Sequence, residues 1–135
     1  MPIVLDASCA LAALLPDEAG RDAARLVTEA LTAGAVVPAF WRLEVANGAL
    51  QAHRRGRFDR DVLGFILAEF SKVDVLVDPE GTASPWGAVA DLAERHHLSI
   101  YDACYLEIAA RRRIPLATLD LKLRKAAQAE AIEVL

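Results

Sequence analysis

Cysteine is scarce in this chain: Cys9 and Cys104 are the only two in 135 residues. Each lies inside an apolar helical pattern, and their separation matches no metal-ligand spacing. Two reduced core thiols in a cytosolic, cytoplasmic protein are therefore expected. Long apolar runs are missing as well. No uninterrupted stretch approaches the ~18–20 residues that span a bilayer. The first residues show neither the basic region nor the small-residue cleavage site of a signal peptide. No membrane association is expected. Glycine nowhere gathers into a phosphate-cradling loop, which argues against an NTPase. The three histidines, His53, His96 and His97, fall at expected helix ends and share no face at ligand spacing. Surface roles, or favourable placement at helix C-termini, are expected for them. Repeats, linkers and low-complexity segments are absent too. One domain over residues 1–135 is expected, long enough for a single substantial core.

Apolar character is what the chain has in plenty: 55% of residues, with a mean hydropathy of +0.27. A well-filled core and a surface buried against a partner are expected. The formal net charge of −4 argues against a general polyanion-binding surface but permits a local one.

Ile3-Val4-Leu5 is an apolar, β-branched run without alternation, the mark of a strand buried on both faces. It ends in Asp6-Ala7-Ser8, and a helical pattern follows from Cys9 to Leu15. Asp17-Glu18 opens a second helix to about Thr32, with Leu26, Ala30 and Leu31 as its apolar side. Further strands are expected at Ala35–Pro38, Val73–Val77, Ile114–Thr118 and Ile132–Leu135. Helices are expected from Trp41 to Ala52 (through Leu43, Ala46, Ala49 and Leu50) and from Asp59 to Ser71, burying Val62, Phe65, Ile66 and Phe70. Ser84-Pro85 reads as a helix start, and Ser99 opens another helix that runs to Arg113. A short one spans Leu121 to Ala129. Strands alternating with helices at this rhythm predict an α/β, three-layer fold with a central, mainly parallel sheet of four to five strands.

Four acids fall at equivalent places in that plan. Asp6 follows the first strand, and Glu44 lies in the first turn after the second. Asp102 opens a helix, and Asp120 follows the fourth strand. In a parallel sheet these points share one rim, where ligands bind. Each acid also has an ordinary role open to it. Asp6 and Asp120 can cap helices, Glu44 can meet the positive end of one, and Asp102 can pair with Ser99 in a capping box. Four neighbouring carboxylates repel one another, and must raise their pKa values or bind cations. An all-oxygen set without cysteine or a histidine pair suits Mg²⁺ or Mn²⁺ rather than Zn²⁺. Hydrolysis of a phosphodiester is the natural work of such a site. Ser8 and Thr118 can hydrogen-bond the carboxylates, and Asn47 can orient Glu44; helix capping and plain surface exposure are their alternatives.

These blocks carry a resemblance. Val4-Leu5-Asp6-Ala7-Ser8, Pro38 with Trp41 through Asn47, Tyr101-Asp102-Ala103-Cys104-Tyr105 and Leu116 through Asp120 resemble the four conserved blocks of PIN-domain ribonucleases. The nearest likeness is to VapC-type toxins of bacterial toxin–antitoxin pairs. The resemblance covers nearly the whole chain, in the family's order and at its spacing. It implies a metal-dependent endoribonuclease, held inactive by an antitoxin and expected to form a homodimer. Asp6, Glu44, Asp102 and Asp120 fall on the family's acidic quartet, and Ser8 and Thr118 on its supporting hydroxyls. A further acid found in some PIN domains has no counterpart here, where Lys122 and Arg124 stand.

Basic residues gather at His53–Arg57, Arg111–Arg113 and Lys122–Lys125. Arg54, Arg55 and Arg57 are candidate contacts for an RNA backbone, with a solvated face as their alternative. Trp41 and Trp86 read as core or interface anchors. Three other functions compete. A receiver-like Mg²⁺-binding signalling module wants paired acids after the first strand and a late lysine. A dehalogenase-like phosphatase wants an acid where Ser8 stands. A catalytically inactive partner-binding domain is hard to square with an intact quartet.

Overall fold

The structure is a computed structural model that describes residues 1–14 and 18–135. Leu15 and Asp17, expected at the end of the first helix and the start of the second, lie outside the described residues. The strands are β1 (Ile3–Leu5), β2 (Ala35–Pro38), β3 (Leu76–Asp78) and β4 (Leu116–Ala117). The helices are α1 (Ala7–Ala12), α2 (Glu18–Ala33), α3 (Trp41–Arg54), α4 (Arg60–Ser71), α5 (Glu80–Ala83), α6 (Ala88–His96), α7 (Ile100–Arg112) and α8 (Leu121–Ala129). The sheet runs in the order β3-β2-β1-β4 with every pairing parallel. Val4 pairs with Val36 on one side and Leu116 on the other. Val4 and Leu5 are fully buried, as a strand covered on both faces requires. The α/β, mainly parallel plan is therefore the one adopted.

Helix α7 runs through the core. Ala103 to Leu106, Ile108 and Ala109 are all buried, so its start, which bears Asp102, is held by packing on several sides. Ser99 caps it, accepting the Asp102 amide at 3.0 Å. Its far end is fixed differently. Arg111 and Arg112 both donate to the carboxylate of Asp78, at 2.8 Å and 2.5 Å. Asp78 ends the edge strand β3 and is 1% exposed. These two arginines are thus spent on a structural pair rather than on an open basic face.

Several elements differ from expectation, each for a local reason. The third strand begins at Leu76, because its register is set by pairing with β2 from Val36↔Leu76 to Pro38↔Asp78; Val73 and Val75 pack on the core instead. Helix α4 turns Leu63 and Ile66 inward against Ala49 of α3. Val62 and Phe65, expected inside, are exposed, as is Leu43 on α3, whose inward face is Trp41, Val45 and Ala49. Adjacent apolar pairs such as Val62-Leu63 leave two helical faces open, and the neighbouring helix decides between them. Ser84 does not start a helix. The carboxylate of Asp78 accepts the Glu80 amide at 3.0 Å and starts α5, which Ser84 terminates. The fifth strand shrinks to one bridge, Leu116↔Val134. Trp41 is buried in the core, whereas Trp86 is exposed and anchors nothing there. Among the described residues no helix is long and apolar enough to cross a membrane.

Candidate active site

Asp6 leaves β1 and caps α1, and its cap geometry builds the site. Its carboxylate accepts the Ser8 amide at 3.3 Å and the Ser8 hydroxyl at 2.5 Å. Thr118, fully buried just beyond β4, donates its hydroxyl to the same carboxylate at 2.7 Å. The Thr118 hydroxyl also accepts the Asp120 amide at 3.1 Å, and Asp120 caps α8 by accepting the Leu123 amide at 3.0 Å. The capping roles are therefore real, and they aim the acids rather than compete with a site. One threonine couples the ends of two adjacent strands.

Glu44 enters from the first turn of α3. Tyr105 holds it in place: its hydroxyl accepts the Ala7 amide at 3.3 Å and donates to Glu44 Oε1 at 3.4 Å. A hydroxyl has one proton, so accepting from Ala7 leaves that proton for the carboxylate. Tyr105 was not among the expected site residues. Its signal was its place three residues after Asp102 on α7, on the same side of the helix. Asn47 is exposed, lines the same groove as Glu44 and makes no hydrogen bond to it among the described residues. The role of holding Glu44 falls to Tyr105.

The four acids feel one another. Burial raises the pKa of Asp6 above the ordinary carboxylate value; the Ser8 and Thr118 hydroxyls oppose this, and the charge of Asp120 adds to it. Burial also pushes Glu44 up to about 7, with help from the charges of Asp6 and Asp102. Asp102 is raised by burial and then by Asp6 and Asp120, while Ser99 and Lys122 pull it down. Among the described residues no lysine, arginine or histidine forms an ion pair with any of the four. Negative charge is gathered here without a fixed counter-cation.

The fit to a divalent cation follows from the donors. Among the described residues no three His, Cys, Asp or Glu side chains form a ready metal cage. Yet the set is all carboxylate oxygen and mutually repelling, and two of its members, Glu44 and Asp102, line a groove of about 550 Å³ with Phe40 and Asn47. That chemistry fits a hard cation keeping several waters between itself and its ligands. The buried thiols take no part: burial pushes Cys9 up to about 12 and Cys104 up to about 11.

Apart from Lys122, whose charge reaches Asp102, the basic groups sit elsewhere. Arg54 ends α3, ten residues from Glu44 or ~15 Å along the helix. Arg55 and Arg57 line a second, largely apolar groove of about 660 Å³ with Leu11, Leu14, Gly48 and Phe58. Arg124 donates to the carbonyls of Thr118 and Leu135, tying the chain's end to the β4 turn. His96 faces Glu130 at 2.7 Å, clasping α6 to the end of α8.

A parallel sheet in this order, with carboxylates converging at its carboxyl rim, defines an α/β protein of the PIN type. The chain matches the PIN domain family over residues 3–129 and belongs to that family. It is 30% identical over 123 residues to Ribonuclease VapC3 of Pyrobaculum aerophilum, spanning 91% of this chain and 92% of that one. Two solved structures share the fold. PAE2754 from Pyrobaculum aerophilum aligns over 99% of this chain and 83% of its own, with a TM-score of 0.68 and 23% identity. FitAcB from Neisseria gonorrhoeae aligns over 98% and 96%, with a TM-score of 0.58 and 19% identity. Family membership displaces the receiver-like and dehalogenase-like alternatives.

Proposed function

We propose that this chain is a metal-dependent endoribonuclease toxin of a toxin–antitoxin pair, with Asp6, Glu44, Asp102 and Asp120 as its catalytic and metal-binding acids. The observation that carries the reading is a set of neighbouring carboxylates, of which burial and mutual charge raise the pKa of Asp6, Glu44 and Asp102, with no ion-paired cation among the described residues. A bound Mg²⁺ or Mn²⁺ supplies charge neutralisation and a water acidic enough to attack phosphorus near neutral pH. The chain's own residues do the rest. Ser8 and Thr118 fix the Asp6 carboxylate in one orientation, so it meets a cation without first reorganising. Asp102 and Asp120 add oxygen donors from two further elements. Glu44 keeps Oε1 on Tyr105 and has Oε2 to orient the attacking water. In this reading water attacks phosphorus directly and no covalent intermediate forms, the Ser8 hydroxyl being spent on orienting the Asp6 carboxylate.

The same reading gives the partners. RNA is the substrate, with Arg54, Arg55 and Arg57 as candidate contacts to its backbone away from the cleavage point. An antitoxin segment with an apolar face is the expected occupant of the groove between α1 and α3. A cytoplasmic homodimer, with residues 1–135 forming one nuclease domain, completes the proposal. The test is cleavage of single-stranded RNA. Purified protein stripped of metal should cleave nothing, and Mg²⁺ or Mn²⁺ should restore cleavage. Asp102→Asn should stay inactive with either metal, and cleavage in excess chelator would sink the reading.

A further inference from the structure

We infer that Tyr101, braced by Phe40, is a stacking platform for an unpaired RNA base beside the carboxylates; this rests on the ribonuclease reading above. Tyr101 directly precedes Asp102 and is 61% exposed. An exposed aromatic ring is ordinarily free to turn, but this one is held. Phe40 meets it edge to face, with centroids 5.2 Å apart and planes at 80°. Phe40 is itself 5.8 Å and 84° from Tyr105, which is fully buried. Three rings thus run from core to surface and fix the outermost before any ligand arrives. Stacking on a ring already fixed loses little conformational freedom.

The surroundings name the ligand. Tyr101 lines the groove that also holds Glu44, Asp102 and Asn47. The Asn47 amide is exposed and makes no hydrogen bond among the described residues, so a donor and an acceptor remain for a base edge. The exposed side chain of Leu43 forms an apolar wall. An aromatic face, a free amide and phosphate-cleaving acids in one groove suit a nucleotide. An apolar protein segment laid there would bury carboxylates without satisfying them. The base must come from a single strand, because bases in a duplex are not free to stack on a side chain. Discrimination among bases should be slight, since every base offers a π face.

The test separates binding from cleavage. Affinity for a labelled single-stranded RNA is read by fluorescence anisotropy in Mg²⁺, on a Glu44→Gln background that removes cleavage. Adding Tyr101→Ala should weaken binding about tenfold, and Tyr101→Phe or Tyr101→Trp should restore it. Duplex RNA should not respond to any of the three. In the otherwise wild-type enzyme the loss should fall mainly on KM. An RNA lacking one base next to the cleaved bond should show the same KM penalty, with no further loss on adding Tyr101→Ala. Equal affinity of Tyr101→Ala and its parent overturns the platform, as does failure of the parent to bind single-stranded RNA. A dimer that falls to monomer in light scattering, with RNA affinity unchanged, assigns the ring to a protein interface and also overturns it. If the wild type cleaves no RNA but Tyr101→Ala still weakens binding, the ribonuclease reading falls and the platform stands.

Discussion

A single aspartate shows how a residue can carry two duties at once. Asp6 caps α1, and the hydroxyls that complete the cap also orient its carboxylate for a cation. Asp6→Asn keeps the shape and removes the charge. Cleavage should fall at least a thousandfold, with the fold retained by circular dichroism. The metal-free variant should melt no lower than the wild type, because repulsion with Asp120 and Glu44 is relieved. The rise in Tm that Mn²⁺ gives the wild type should vanish. Glu44 makes a second prediction, on pH. Its folded pKa, pushed up to about 7, lies above the ordinary 4.5, so the folded state binds more protons between those values. The contribution of Glu44 to the stability of the metal-free protein should therefore be fully present below about 4.5 and be lost as pH rises through about 7. Comparing Glu44→Gln with the wild type by thermal melts isolates this contribution. A flat difference between the two across that window would remove Glu44 from the cluster.

Elements show what the sequence could and could not reveal. The buried strand Ile3–Leu5 and the four acids were legible because a parallel sheet collects strand ends on one rim, whatever the details. The inward face of α4 was not. Leu63 with Ile66 and Val62 with Phe65 fit a helical period equally well, and only Ala49 of α3 decides between them. Tyr105 was hidden for a related reason: its value lies in reaching Ala7 and Glu44, 98 and 61 residues away. The fate of Arg111 and Arg112 depended on Asp78, a strand-end acid that from sequence alone reads as a strand stop. That clamp gives a third prediction. Asp78 is buried, whereas the two arginines keep about a third of their side-chain surface in water. Removing the acid leaves cations that can still be solvated, so Asp78→Ala should cost about 2–3 kcal/mol, less than the ~3–5 of a wholly buried pair. Lys72→Ala, which breaks an exposed pair with Glu69, should change stability by less than ~0.5 kcal/mol. Urea titrations of the two variants measure the contrast. Equal effects would mean that Asp78 does not lock β3 to α7.

On the scale of the whole molecule, the two grooves are joined by the helices between them. Asp6 caps α1, which carries Leu11 into the apolar groove about 7.5 Å further along its axis. α3 begins beside Glu44 and brings Gly48 against Leu11, where a Cβ would lie 2.2 Å from Leu11 Cδ1. A partner helix seated in the apolar groove thus lies within reach of the acids. An antitoxin arginine or lysine reaching them would take the electrostatic place of the metal, and the two ligands should compete. The measurement is a titration of antitoxin, or of its inhibitory peptide, against the wild type at rising Mn²⁺. Apparent affinity should fall as metal saturates the site, while Asp6→Asn should bind with an affinity that no longer responds to Mn²⁺. Gly48→Ala supplies an independent check on where the peptide sits. The added methyl must drive Leu11 aside, and the space open to it is the groove itself. Stability should change by no more than about 1 kcal/mol, because better helix propensity offsets the repacking, yet the peptide should bind at least tenfold more weakly. Loss of affinity in Gly48→Ala without any response to metal would leave the partner in the groove but out of the acids. An affinity indifferent to both would place the partner on another face.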